Sequence, residues 1–318
     1  MWKLTLAALL AAGVAAAAEP SLVERLGFEP DARLLIVNGD DFGMNQATNT
    51  GTEKAYKGGG LTSATIMVTC PWFLQAVDFA KNHPVSAGVH TVLTSEWKYY
   101  KWGPVVGAEA APSLVDKLGF FYEDVPAVYL NADIVQVGHE IRAQVKRALD
   151  AGLDATHIDS HMGAMQYAPG YHKLYIDIAK EFNLPCRIAS REMMAQFNAE
   201  DLVDYADENG VLHCEELIMD GPKDTSMEGT EQYWKDVMSK IPAGKVTEIL
   251  IHCGQMTPEM QDTTGTAARR TADAEFFALP ETREWMIAQG IEPISYRELR
   301  HLQREGKPMP RVERYGWE

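Results

Sequence analysis

Cysteine is scarce in this sequence, and none of it is spaced for metal binding. The four cysteines, Cys70, Cys186, Cys214 and Cys253, are far apart, and no CxxC pair occurs. A metal site built from cysteine thiolates is therefore not indicated. Oxidation would allow three pairings, between which the sequence does not choose, and buried free thiols are the alternative.

Positive charge is also in short supply. Lys and Arg total 29 against 45 Asp and Glu, which gives a formal net charge of −16. Such an acidic surface argues against nucleic acid and anionic membranes as partners, because both are negatively charged. A neutral or cationic ligand is favoured. Internal repeats, low-complexity runs after the first 18 residues and Pro/Gly/Ser-rich linkers are also missing, so we expect one continuous domain over residues 19–318.

The first 18 residues, MWKLTLAALLAAGVAAAA, have the composition of a cleaved signal peptide. A Lys near the start precedes an apolar stretch of secretory length that ends in small residues. The stretch is short for a membrane span, so a membrane-tethered amino terminus is the weaker alternative. No later stretch is long and apolar enough to cross a bilayer. We therefore expect an exported protein, periplasmic or extracellular, with no membrane contact after cleavage.

Apolar, β-rich runs alternate with stretches of helical periodicity along the rest of the chain. This alternation predicts an α/β fold with a parallel sheet, and closure into a (β/α) barrel is the most economical form. The predicted strands are 34–37, 62–68, 86–92, 155–158, 186–189, 211–218, 246–251 and 291–295. The predicted helices are 46–57, 72–82, 134–151, 170–183, 228–240 and 274–289.

Residues 94–133 interrupt the alternation with a long loop that is rich in aromatic side chains. A loop of this length inside a compact domain is usually functional or disordered, and its aromatic content argues against disorder. Trp97 and Trp102 are the best candidates for a wall that contacts a sugar, because flat aromatic faces suit the C–H faces of sugars. The alternative is that these side chains only pack the loop onto the barrel.

Polar side chains stand where several of the predicted strands end. Asp40 and Asp41 follow the first strand, His90 ends the third, and His252 ends a later one. In the segment Thr156–His161, strand alternation places His157, Asp159 and His161 on one side. Because the carboxyl ends of parallel strands meet at one edge of a sheet, these side chains should come together.

This set of side chains has the chemistry of a divalent metal site. Catalytic zinc sites commonly use three protein ligands and leave a position open for water. His90, His161 and one of the two aspartates would form such a set, and the other aspartate could act as general base. The alternative for Asp41 is a capping role at the start of the next helix. Arg269 and Arg270 have two candidate roles, binding of a substrate acid and electrostatic capping of the following helix. We prefer the capping role.

Four segments in order give the chain a resemblance to the YdjC-type carbohydrate deacetylases, the family that includes chitooligosaccharide deacetylase. They are LLIVNGDDFGMN (34–45), SAGVHTVLT (86–94), ATHIDSHMG (155–163) and EILIHCG (248–254). The resemblance implies a distorted (β/α) barrel of the polysaccharide-deacetylase type. It also implies a metal-dependent hydrolase that removes N-acetyl groups from an amino sugar or short oligosaccharide and releases acetate.

The resemblance also assigns roles to residues by their position in these motifs. Asp41, His90 and His161 match the metal ligands, Asp40 matches the general base, and His252 matches the general acid that protonates the leaving amine. Arg187 resembles the family's site arginine, which orients Asp40 or holds a substrate oxygen. One divalent ion is implied, zinc by ligand type, with magnesium or another transition metal as alternatives.

The chain departs from the family pattern at two places. Met162-Gly163-Ala164-Met165 stands where the family often has further histidines, and Cys253 replaces a proline after His252. The core chemistry survives these changes, whereas the identity of the sugar is left open. Alternatives are a metallohydrolase of the same barrel that acts on O-acetyl sugars or a glycolipid, and a sugar-binding protein whose catalysis has lapsed. The expected partner is a small carbohydrate, and a homodimer is left open.

Overall fold

The architecture is a parallel β-sheet with helices between its strands. We describe it from a computed structural model, which covers residues 19–196 and 198–310. All strand pairings in this part of the chain are parallel. The strands are β1 (Arg33–Phe42), β2 (Ser63–Ile66), β3 (Ser86–Thr91), β4 (Ile158–Ser160), β5 (Glu216–Ile218), β6 (Lys245–His252) and β7 (Ile291–Pro293).

Helices connect most of the strands, and several begin at side-chain caps that the sequence supplies. Asn45 accepts a hydrogen bond from the Thr48 amide at the start of α2, and Ser295 and Glu298 form a capping box at the last helix. The helices are α1 (Leu22–Arg25), α2 (Gln46–Lys57), α3 (Phe73–Asn82), α4 (Val125–Asn131), α5 (Ile134–Asp150), α6 (Pro169–Glu181), α7 (Arg191–Ala195), α8 (Asp201–Glu208), α9 (Met227–Ser239), α10 (Pro258–Thr263), α11 (Ala267–Phe277), α12 (Pro280–Ala288) and α13 (Tyr296–Glu305). Short 3₁₀ helices lie at Pro112–Leu114 and His161–Gly163.

The sheet is curled but its regular strands do not form a complete ring. The strand order is β4-β3-β2-β1-β6-β5, and β7 pairs with the first half of β1. Between β4 and β5 the chain makes only scattered backbone contacts, such as the bridge from Ile158 to Cys186 and the hydrogen bond from the Cys186 amide to the Leu212 carbonyl. The predicted α/β class and distorted barrel type are confirmed. The closed, TIM-like ring is corrected to a half-barrel, since residues 186–189 form no regular strand.

Both faces of β1 are buried, as its unbroken apolar run predicts. Leu35 and Val37 pack into one hydrophobic cluster, which the surrounding helices cover. Leu34 and Ile36 point the other way, into a second cluster that includes residues of α13. Burial on both faces is typical of parallel strands. Burial on both faces holds β1 in place and so fixes the position of the polar residues at its carboxyl end.

The sequence left open whether the four cysteines form disulfides or are buried free thiols. The structure shows all four as buried free thiols. Burial raises the pKa of the Cys253 thiol well above its ordinary value, and the Asp273 carboxylate adds to this effect. Among the described residues, no helix combines the length and the apolar character that a membrane span requires. The predicted signal peptide, residues 1–18, lies outside the described residues.

Candidate active site

Asp40 and Asp41 stand at the carboxyl end of β1, and both line one pocket of about 400 Å³. Neighbouring residues of a regular strand point to opposite faces, so two adjacent aspartates would not normally share a pocket. Here the register against β2 shifts between Gly39 and Phe42, and Asp41 has a φ of 66°. This left-handed conformation is uncommon for a residue other than glycine and is tolerated best by Asn and Asp. It turns the second carboxylate into the same pocket as the first.

Three side chains from distant parts of the chain bring ligand atoms together in this pocket. Asp41 Oδ1 lies 3.3 Å from His90 Nε2 and 3.3 Å from His161 Nδ1, and the two imidazole nitrogens lie 3.2 Å apart. We call Asp41, His90 and His161 the metal triad. All three side chains are buried.

The metal triad fits a divalent metal ion. A tetrahedral ion with ligand distances of about 2.0–2.1 Å separates its ligand atoms by about 3.3–3.4 Å, close to the distances observed. Asp41 Oδ1 is buried without a hydrogen-bond partner of normal geometry, which is costly unless another group binds it. Asp40, His90 and Asp159 also lie close enough together to share an ion. However, the carboxylates of that second group are already engaged by His90 Nδ1 and by Arg187.

Each imidazole of the metal triad is held on its far side by a carboxylate. His90 Nδ1 lies 2.6 Å from Asp159 Oδ1, and Asp159 Oδ2 accepts a hydrogen bond of 2.7 Å from Thr65. His161 Nε2 lies 3.1 Å from Glu96 Oε2. A carboxylate behind a histidine fixes the tautomer and orients the free nitrogen toward a metal. The sequence did not reveal Glu96.

These carboxylates also control the protonation of the imidazoles in the metal-free site. Burial lowers the pKa of His90, but the adjacent Asp159 outweighs burial and raises it to about 10. Burial likewise lowers the pKa of His161, and Glu96 raises it to about 9. These raised pKa values favour the protonated imidazoles at neutral pH when no metal is bound. A metal must displace these protons in order to bind.

His157 does not join Asp159 and His161, although strand alternation predicted a common side. Its ring stacks on Tyr296 with the ring centres 3.8 Å apart and an angle of 8° between the planes. Burial lowers its pKa well below the ordinary value, with a further contribution from Arg187. We therefore assign His157 to packing beneath the site.

Arg187 is surrounded by the buried carboxylates of Asp40, Asp159 and Glu248. Its Nη1 and Nη2 donate to the two oxygens of Asp40 at 2.8 and 2.7 Å. Nε and Nη2 donate to Glu248 Oε1 at 2.9 and 2.6 Å, and Nη1 lies 3.0 Å from Asp159 Oδ2. These contacts use all five N–H donors of the guanidinium. Of the two roles predicted for Arg187, the geometry therefore favours orienting Asp40 over binding substrate.

The ion pair with Arg187 keeps the Asp40 carboxylate ionised. Burial would raise its pKa, but the charge of Arg187 lowers it below the ordinary range. Oδ1 accepts hydrogen bonds from Arg187 and from Asn38 Nδ2, whereas Oδ2 accepts one from Arg187 alone. A carboxylate oxygen can accept about two hydrogen bonds. Asp40 Oδ2 thus keeps one acceptor position free.

Arg270 is a site residue that the sequence interpretation misplaced as a helix cap. It lies on α11 and is buried, and its Nη2 is 2.7 Å from Asp41 Oδ2. Burial would raise the pKa of Asp41, but the Arg270 charge holds it well below the ordinary value. The guanidinium also stands 5.7 Å from the ring centre of Trp97, within the range of a cation–π contact.

His252 stands at the end of β6 and lines the pocket. Its Nε2 is 3.9 Å from Asp41 Oδ2, and its side chain is 28% exposed. Burial of the ring, together with the nearby Arg270, lowers the pKa of His252 to about 4. The imidazole is therefore neutral at neutral pH in the ligand-free site.

The two tryptophans predicted as a sugar wall occupy different places. Trp97 lines the pocket. Trp102 is only 3% exposed, and its indole N–H donates to the Thr94 carbonyl at 2.8 Å. Its ring packs edge-on against Trp97 and His161. Trp102 packs behind the site, which favours the packing alternative over the predicted contact with substrate.

Comparison with known proteins places most of the chain in one family. A family model described as "YdjC-like protein" matches residues 34–288. The chain is 29% identical over 275 residues to a carbohydrate deacetylase of Brevibacillus brevis, covering 83% of this chain and 99% of that protein. It is 29% identical over 267 residues to a carbohydrate deacetylase of Enterococcus faecalis, covering 83% and 97% of the two chains. A crystal structure from Enterococcus faecalis, named as a cellobiose-phosphate cleavage protein, superposes with a TM-score of 0.73 at 27% identity and covers 84% of this chain and 99% of that one.

The prediction of an exported, periplasmic or extracellular protein is wrong. It depended on residues 1–18, which lie outside the described residues. The YdjC-type deacetylases to which the chain is similar are typically cytoplasmic.

Proposed function

Since the chain belongs to the YdjC-like family, we propose that it is a carbohydrate deacetylase that uses one divalent metal ion to remove N-acetyl groups from an amino sugar or short oligosaccharide. The observation that carries this proposal is the metal triad. Its three buried ligand atoms lie 3.2–3.3 Å apart beside a carboxylate and an imidazole that do not belong to it.

Asp41, His90 and His161 would hold the ion. Two imidazoles and one carboxylate suit zinc by ligand type, and the observed spacing is that of a tetrahedral ion. When bound, such an ion lowers the pKa of a water molecule and polarises the amide carbonyl of the substrate. Asp159 and Glu96 would keep the two imidazoles oriented toward it.

Asp40 would act as general base through Oδ2. This oxygen has a free acceptor position, and the Arg187 contact fixes the carboxylate as an anion that points into the pocket. An attacking water needs to give up only one proton as it reaches the acetyl carbon. Arg187 would be a positioning residue, because its donors are used by carboxylates rather than by substrate.

His252 would deliver a proton to the leaving amine. An amide cannot release its nitrogen unless that nitrogen is protonated. The neutral imidazole would first take up a proton from solvent, and negative charge that develops on the substrate beside it would raise the pKa of His252 from its low resting value. The proton that Asp40 removes from the attacking water would return to solvent at the end of the turnover. Trp97 would hold the apolar face of the sugar ring against the pocket wall.

The experiment is a measurement of acetate release from N-acetylglucosamine and its short oligomers by the zinc-loaded protein. Asp40→Asn removes the proposed base and His161→Ala removes a proposed metal ligand, and each should reduce kcat by at least about 100-fold. Asp78→Asn and His139→Ala change exposed residues outside the pocket and serve as matched controls. Acetate release that both site variants retain in full would refute the assigned site.

A further inference from the structure

A second cavity, of about 340 Å³, opens beside the site pocket. Its inner wall includes Met194, Leu202 and Leu217, which are all buried. Met193 of α7 adds a half-buried apolar side chain. No lining residue of this cavity is charged, whereas the site pocket is lined mainly by ionisable groups. We call this cavity the apolar annex.

The apolar annex adjoins the site pocket. Gln166, Tyr167 and Met219 line both. Gln166 Nε2 donates a hydrogen bond of 2.8 Å to the Arg187 carbonyl, so the boundary between the two cavities is tied to the segment that carries the site arginine. A group attached to a sugar in the site pocket would reach the apolar annex across these three shared residues.

The shared rim exposes an unusual amount of apolar surface to solvent. Tyr167 is 60% exposed, Met219 is 39% exposed, and Met162, which lines the site pocket, is 52% exposed. Single exposed apolar residues need no explanation, but a group of them at the mouth of an apolar cavity indicates a ligand with apolar parts.

We infer that the acetylated sugar carries an apolar aglycone, an alkyl or aryl group, and that this group occupies the apolar annex. The inference rests on the proposed function and specifies its substrate class. A second sugar ring would fit the annex poorly, because its hydroxyls would be buried against methionine and leucine side chains with few hydrogen-bond partners. Of the ten described residues that line the annex, only Gln166 and Tyr167 have polar side chains, and one Gln166 amide N–H already donates to the Arg187 carbonyl.

The test compares methyl, butyl, hexyl and octyl β-glycosides of N-acetylglucosamine as substrates of the zinc-loaded full chain, below micelle-forming concentrations. KM should fall with chain length and be at least about tenfold lower for octyl than for methyl, because burial of only two methylenes provides about that factor. The fall should level off once the chain fills the cavity. Equal KM values along the series, with acetate released throughout, would overturn the inference and leave the proposed function standing.

Binding provides a readout that does not depend on activity. In calorimetry, the Asp40→Asn chain should bind the octyl glycoside at least about tenfold more tightly than the methyl glycoside, with a more negative heat-capacity change. If no glycoside releases acetate but this preference is present, the proposed function fails and the annex stands as an apolar binding site. Hexanol added to the methyl glycoside should not lower its KM. If it does, the occupant is a separate molecule and the inference is wrong.

Two variants test whether the dependence of KM on alkyl chain length arises in the apolar annex. Met193→Glu places a charge in the annex wall and should bring the octyl-to-methyl ratio of KM close to one. Met227→Glu makes the same change at an exposed methionine of α9 that lines neither cavity, and it should leave the ratio unchanged. A ratio that persists in Met193→Glu would contradict the placement of the aglycone in this cavity.

Discussion

Arg270 Nη2 lies 2.7 Å from Asp41 Oδ2, while Asp41 Oδ1 faces the two imidazoles of the metal triad. The two oxygens of one carboxylate therefore have separate partners, a fixed cation on one side and the proposed metal position on the other. Arg270 itself reaches the site from α11, far from Asp41 in sequence. This pairing makes Arg270 a positioning residue in our interpretation.

We expect Arg270→Gln to weaken zinc binding by about 10- to 100-fold, the usual effect of losing a group that holds a metal ligand. Two consequences of the change oppose each other. Loss of the cation strengthens the attraction of Asp41 for a metal, but it also frees the carboxylate to rotate. We expect rotation to prevail, because the 2.7 Å ion pair with Arg270 is the short contact that holds Asp41 Oδ2. Competition with a chelator of known affinity measures the effect.

The control for this prediction is Arg142→Gln, which removes a half-buried arginine that pairs with Glu181 and lies outside the pocket. It should leave zinc affinity unchanged. Zinc affinity that is equal or higher in Arg270→Gln than in the parent chain would show that Arg270 opposes the metal rather than positions its ligand.

The strand-end residues were predictable because sequence order and parallel topology together fix where they meet. Asp41, His90 and His161 each follow or end a β-strand, and strands β1, β3 and β4 lie near one another in the sheet. Glu96 was not predictable in this way. It belongs to an aperiodic loop, and its contact with His161 depends on tertiary packing across 65 residues of chain.

Arg270 was misplaced because one helix boundary was wrong. The apolar pattern suggested a single helix over 274–289, which left Arg270 in front of it as a capping charge. The chain instead forms α11 and α12, separated where Leu279 becomes extended before Pro280. The residue before a proline disfavours helical geometry, so this proline was the available signal. The prediction of a closed barrel was wrong because residues 186–189, which were predicted as a strand, pair only through isolated contacts.

We expect Arg187→Lys to lower the free energy of unfolding by about 3–5 kcal/mol, because it leaves buried carboxylates without partners. A lysine ammonium has three donors and cannot reproduce the planar contacts to Asp40, Asp159 and Glu248. Urea denaturation measures the loss. Arg191→Lys changes an exposed arginine paired with Asp204 and should cost no more than about 1 kcal/mol. Equal losses in the two variants would contradict the central role of Arg187.

Zinc binding should release protons, because the raised pKa values of His90 and His161 favour their protonated forms in the metal-free site at pH 7. We expect release of up to about two protons per ion, seen by calorimetry as a binding heat that depends on the ionisation heat of the buffer. Glu96→Gln should reduce the release, because the raised pKa of His161 depends on that carboxylate. A binding heat that is the same in all buffers would contradict the assignment.

The same protonation should make the metal-free fold sensitive to alkaline pH. Both imidazoles have pKa values raised from about 6.5 in the unfolded chain to about 9 and 10 in the fold. Their contribution to stability is therefore complete below pH 6.5 and is lost as the pH rises through 9 and 10. We expect the Tm of the metal-free protein to fall over this range, and less so for His161→Ala. A Tm that is constant from pH 6.5 to 10 would contradict the raised values.

The two tryptophans beside the site should respond differently to truncation. Trp97→Ala should raise KM for an acetylated sugar by about 3- to 10-fold, since a ring contact is worth about 0.5–1.5 kcal/mol, and should change stability little. Trp102→Ala should lower the free energy of unfolding by about 3–5 kcal/mol, because the indole is buried and its loss leaves a cavity. Steady-state kinetics and urea denaturation of both variants separate the two effects. If Trp102→Ala raised KM at unchanged stability while Trp97→Ala had no effect on KM, the two assignments would have to be exchanged.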